Sequence, residues 1–184
     1  MTVTKIARLA LAGFMFVLLA TSVAQAAPEF YVSITGSAQG PFNGEVVRKG
    51  FEGKIAGLTF DYSVVSPRDA ASGQATGKRV HKPIRIKKAW GAASIQLFNA
   101  VTKNEVLPAV VFDFFSVDPN GVMVLDHTIK LTNAFVASIA HNSESLGTSS
   151  IALPPTETVE FVFQQIELIN HRSKTAAMDS MLAP

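Results

Sequence analysis

Cysteine is absent from this 184-residue chain. That excludes a disulfide-stapled scaffold, a thiolate zinc site and a cysteine nucleophile. Charge is scarce as well, at 16% of residues against about 25% in an ordinary globular domain. Disordered segments and basic nucleic-acid tails need more than this. Nor is one sign in excess. Taking Lys5 and Arg8, which lie in a segment read below as removed, from the sixteen basic residues leaves fourteen against fourteen acidic ones. A global electrostatic pull toward DNA, RNA or anionic lipid is therefore missing. A membrane-spanning helix needs about 20 apolar residues, and no segment after the first twenty residues comes near that length.

What is present begins with an export signal. Lys5 and Arg8 precede a twelve-residue apolar run, Leu9–Ala20, and Ala24-Gln25-Ala26 follows with small residues at the two positions a signal peptidase reads. The expected organisation is a signal peptide over 1–26, cleaved after Ala26, a β domain over 27–170 and a mobile tail over 171–184. The mature product is expected to be secreted or periplasmic, without an integral membrane segment. An uncleaved anchor or a misassigned start codon is the alternative.

The body reads as strands. Phe30–Thr35, Ile55–Val65, Val106–Ser116, Phe135–Ile139 and Val159–Ile169 are rich in β-branched and aromatic residues. Asp118-Pro119-Asn120-Gly121 is a turn. After it Met123, Leu125, His127, Ile129 and Leu131 alternate with Val122, Val124, Asp126, Thr128 and Lys130, the period of a strand with one buried face. One helix interrupts the pattern over Ala92–Val101, with Ile95, Phe98 and Val101 as the stripe leaning on the sheet and Gly91 and Asn104 as boundaries. The expected fold class is mainly β, a small antiparallel barrel or two-sheet sandwich with one short α-helix. Ser66–Lys78 is a long loop, which in a compact domain points to function. Ser143–Pro155 is a second loop.

The search for chemistry is mostly negative. Gly73–Arg79 is one residue short of a phosphate loop and leads into a strand, which offers no helix N-terminus for a phosphate. His81, His127, His141 and His171 show no zinc spacing, and no Gly-x-Ser-x-Gly elbow exists. Asp126 and His127, as strand neighbours, are expected on opposite faces and so unable to pair. Neither catalysis nor a metal or cofactor is indicated. The one charge feature is Lys78, Arg79, Lys82, Arg85, Lys87 and Lys88, in which Arg85 and Lys87 share a face opposite Ile84, Ile86 and Lys88. It reads either as a basic strip (Lys78, Arg79, Lys82, Arg85, Lys87) facing an anionic partner or acidic neighbouring subunit, or as an ordinary solvated face. Two strands are apolar on both sides: Val110, Phe112 and Phe114 oppose Val111 and Phe115, while Phe161 and Phe163 oppose Val162, Ile166 and Leu168. The second face needs cover, from an internal layer or from sister subunits.

The order of these pieces resembles the Hcp family, the haemolysin-coregulated tube proteins of bacterial type VI secretion systems. Five stretches carry the resemblance: Phe30–Gly36; Gly53–Tyr62, with the pattern Gly-x-Ile-x-x-Leu-x-Phe-x-Tyr; Gly77–Lys88, running through the helix to Glu105–Val110; His127–Ala134; and Glu160–Glu167. The resemblance implies a non-enzymatic barrel that forms homo-hexameric rings. The rings would stack into a tube driven by a sheath behind a spike, with effector proteins in the lumen. It places Pro67, Arg68, Ser72, Gly73 and Gly77 in the loop that reaches an adjacent ring. Two features depart from the pattern: family members are normally made without a cleavable signal, and Trp90-Gly91 stands where many carry acidic residues. The signal also suits a second reading, an exported free-standing Hcp-like barrel that binds a partner outside any contractile tube.

Overall fold

The computed structural model describes residues 30–143 and 154–181; the signal segment and its cleavage site lie outside them, as does most of the Ser-rich second loop. In chain order the elements are β1 (Phe30–Gly36), β2 (Gly40–Pro41), β3 (Ile55–Asp61), β4 (Val64–Val65), β5 (Val80–His81), β6 (Ile84–Ala89), α1 (Ala93–Thr102), β7 (Leu107–Val117), β8 (Met123–Asn142), β9 (Thr156–Asn170) and β10 (Thr175–Ser180). Strands β9, β6, β3, β1, β7 and β8 pair in that order, all antiparallel, and β8 closes on β9. Closure removes the free edges of an open sheet. Val32, Ile84, Ile86, Val110, Phe112, Leu131, Val159, Phe161 and Ile166 fill the interior with essentially no exposure. Each such side chain stabilises the fold by about 1.5–3 kcal/mol. Gly57 permits one of the closest approaches, because a side chain there would overlap the Phe30 ring.

The mainly β class with one helix holds, and several details are corrected. The stretch Ile55–Val65 breaks at Tyr62–Ser63, so that β4 leaves the barrel to pair with β5. The expected strands over 122–131 and 135–139 are one strand, β8, bent where its register slips between Val136 and Ser138. Residues 175–180, expected in a mobile tail, form β10 along residues 165–170 of β9. The tail lacks apolar alternation because it is held by its backbone ladder and by polar contacts. Asp126 and His127 are not on opposite faces: their side chains bond at 2.9 Å. The β7–β8 register slips opposite Asp126, between Phe114 and Phe115, and a bulge breaks the alternation on which the expectation relied.

The helix is where it was expected but rotated: of the expected inner stripe Ile95, Phe98 and Val101, only Val101 packs against the core, partly buried. Ala93, Ser94, Leu97 and Ala100 are buried, while Ile95 and Phe98 are 58% and 52% exposed. Small side chains let the helix lie close to the sheet. Beneath it a polar group decides the orientation: Lys88 and Glu157, both fully buried, pair at 2.8 Å, and the Ser94 hydroxyl donates to the same Glu157 oxygen at 2.9 Å. Ser94 must face inward to complete this group, because an unmatched buried carboxylate is costly. Asn104, at φ 50°, ends the helix, and the Glu105 N–H returns to the Ala100 carbonyl at 2.9 Å, a Schellman closure. Glu105 then accepts the backbone N–H groups of Ala38 and Gln39 and the Gln39 side chain. Burial pushes its carboxyl up, but these three donors outweigh that and hold it below the usual range.

Candidate functional site

The long loop is an arm with its own internal order. The two residue pairs of β4 and β5 form its base, and Arg68 bridges Ala75 farther out. At the tip one Asp69 oxygen accepts the Ala71 and Ser72 N–H groups and the Ser72 hydroxyl at 2.8–3.1 Å. Ser72 first, then Ala71, hold the Asp69 carboxyl below its ordinary range. Arg68 donates to the Gly73 carbonyl, Gly73 takes φ +70°, and a side chain added at Gly77 would meet the Pro67 ring. The structure thus brings Pro67, Arg68, Ser72, Gly73 and Gly77 together in one projecting element cross-linked by its own hydrogen bonds.

Several of the basic residues are paired with acidic side chains of the same chain. Arg79 is held by Asp179, Arg85 by Glu160, and Lys88 by Glu157. Arg85 first, then the Ser138 hydroxyl, hold the Glu160 carboxyl below its usual range. Ile84, Ile86 and Lys88 do share the buried face, as alternation requires. Lys78 and Lys82 are exposed near the base of the arm, and Lys87 is half-buried.

The outer surface of the barrel is partly covered from within. Tyr31, 2% exposed, stacks on Phe51 with ring centroids 4.5 Å apart, and Phe115 meets both rings edge-on. The segment between β2 and β3 supplies Phe51 and so shields the second face of β7. Ile166, expected outside with Val162 and Leu168, is buried. Asn133, at φ 49°, breaks the β8 alternation opposite Gln164, which returns the next residues of β9 to the core. The apolar surface that remains includes Ile95 and Phe98 on the helix, Val64, Val65 and Val80 on the arm, and Val162, Leu168 and Met178 on β9–β10, with Val47, Leu58, Trp90, Val117, Val122 and Met181 elsewhere.

A cluster that the sequence gave no sign of lies at the base of the arm. His81 on β5 stands between the Tyr62 hydroxyl, 2.6 Å from Nδ1, and an Asp179 oxygen, 2.9 Å from Nε2. Asp179, on β10, is 98 residues away in the chain, and only the unexpected strand brings it there. Arg79 first, then His81, hold the Asp179 carboxyl far below its usual range. Burial, and after it the Asp179 charge, push the Tyr62 phenol up. A cleft of about 460 Å³ opens beside the cluster, between the arm and β9–β10. Among the described residues no group of acidic and histidine side chains is arranged to hold a metal ion, and no helix is long and apolar enough to cross a membrane.

Residues 31–169 match the family described as the type VI secretion system effector Hcp. The chain belongs to the Hcp family. A relative in Pseudomonas aeruginosa, the major exported protein, is 31% identical over 166 residues, spanning 84% of this chain and 95% of its own. A crystal structure of an Hcp protein shares the fold with a TM-score of 0.76 at 24% identity, covering 84% of this chain and 99% of that one. The secreted Hcp3 protein of Pseudomonas aeruginosa does so with a TM-score of 0.70 at 24% identity, covering 85% and 100%. This Hcp chain is a structural tube-type subunit of the type VI secretion class.

Proposed function

We propose that this Hcp chain is exported with removal of residues 1–26 and assembles into homo-hexameric rings. The arm tip at 66–77 reaches the next ring, so that rings stack around a lumen able to hold effector proteins, with spike and sheath components as further partners. The observation that carries this reading is the match over residues 31–169. It is supported by a barrel whose interior is filled while Ile95, Phe98, Val162 and Leu168 stay at the surface. Sister subunits are the economical cover for such residues. The basic side chains Lys78 and Lys82 would face acidic groups of a neighbour across that contact.

The signal segment sets this chain apart from subunits loaded from the cytoplasm. Expressed in a bacterium with intact general secretion, the full chain is expected outside the inner membrane with Ala27 as its first residue. A chain lacking residues 1–26 is expected to stay in the cytoplasm. N-terminal sequencing and fractionation read both. Export of the shortened chain that depends on a contractile sheath would contradict the signal. A mature product that is solitary under the electron microscope would favour the free-standing binding protein.

A further inference from the structure

We propose that Asp179 is a positioning residue for the arm: from the C-terminal strand it clasps β5 and fixes the direction in which the 66–77 tip projects. The role given to the tip rests on the ring-stacking reading above, whereas the clasp stands on geometry alone.

The arm has little else to hold it. Its strands β4 and β5 form a separate two-stranded sheet outside the barrel ladder. Where it leaves the barrel, Tyr62 and His81 lean on Phe163, with centroids 6.4 and 5.8 Å from that ring. Beyond them the cleft, lined in part by Val64, Leu168 and Met178, separates the arm from β9–β10. Asp179 crosses that gap. Its carboxylate accepts both the Nε and Nη2 donors of Arg79 and the Nε2 donor of His81, and Arg79 also reaches the Ser180 carbonyl at 3.1 Å. The forked guanidinium contact fixes an angle as well as a distance. An ionised carboxylate only accepts, so His81 in its neutral form carries its proton on Nε2 and Tyr62 donates to Nδ1. One acidic side chain thereby orders three residues of the arm's base, and the tip, stiffened by Asp69 and Arg68, follows as a unit.

The lack of cysteine makes the test direct. Ala71→Cys, where only the backbone N–H is engaged, places a single nitroxide label at the tip of the full mature chain, and its mobility reports the arm. Asp179→Asn is expected to speed the label's motion several-fold while the unfolding midpoint of the barrel stays within a few degrees. Arg79→Lys, which keeps the charge and loses the fork, is expected to give an intermediate mobility. Thr175→Ala, exposed at the far end of the same strand, is expected to leave the label unchanged. Unchanged mobility in both Asp179→Asn and Arg79→Lys overturns the clasp. Sedimentation of assembled rings is read separately. A freed arm with undiminished stacking supports the clasp and contradicts the inter-ring role of the tip.

Discussion

Glu105 shows how one side chain can stabilise a fold that has almost no charged interior. It fastens the β1–β2 turn to the end of the helix through three donors, which together favour its ionised form. Its folded-state value lies below the usual range, so its contribution is complete above the ordinary glutamate value near pH 4.3 and fades as pH falls through the folded value. Glu105→Gln is therefore expected to cost about 1.5–3 kcal/mol at pH 7, and less at pH 3, below the ordinary glutamate value, where the unfolded chain has already taken up the proton. Urea unfolding at the two pH values measures this. An equal cost at both would show that the charge is irrelevant. At this scale the sequence misleads most where alternation fails: the Asp126–His127 pair follows from a bulge without a mark in residue type, and the burial of Ile166 from a left-handed Asn133 on the neighbouring strand, whose only sign is that Asn tolerates positive φ.

The elements were more legible than the faces they present. Strand positions follow from β-branched and aromatic runs, and the turn at Asp118–Gly121 closes as its residues demand, with Gly121 at φ +80° and Asp118 accepting the Asn120 and Val122 N–H groups. The helix was visible from spacing, but spacing alone favoured the larger apolar side chains for the inner stripe. The buried Lys88–Glu157–Ser94 group overrides that preference, and its partners are 63 and 69 residues apart in the chain. Leu97→Ala is accordingly expected to lower the stability of dilute protomers by about 2–5 kcal/mol. Phe98→Ala should change it by no more than about 0.5 kcal/mol. Denaturant titration of the two variants checks the orientation, and the reverse order would return Phe98 to the inner face. The arm was legible as a loop from its Gly, Ser and Pro content. Its docking was not, because Asp179 sits in a stretch without a strand pattern.

For the whole molecule, family membership and the closed barrel establish what kind of object this is, while the residual apolar surface says how it is completed. The β2–β3 segment covers the Tyr31–Phe115 region from within the protomer, so less of the outer face is left for neighbours than the apolar strands suggested. What is left lies on the helix, on the arm, on β9–β10 and on the turns between strands, and the proposed rings would cover part of it. Multi-angle light scattering of the mature chain, followed over a wide concentration range, tests the account most directly. It predicts a hexameric mass that Phe98→Ser or Val162→Ser lowers. A protomer mass at every concentration would contradict it.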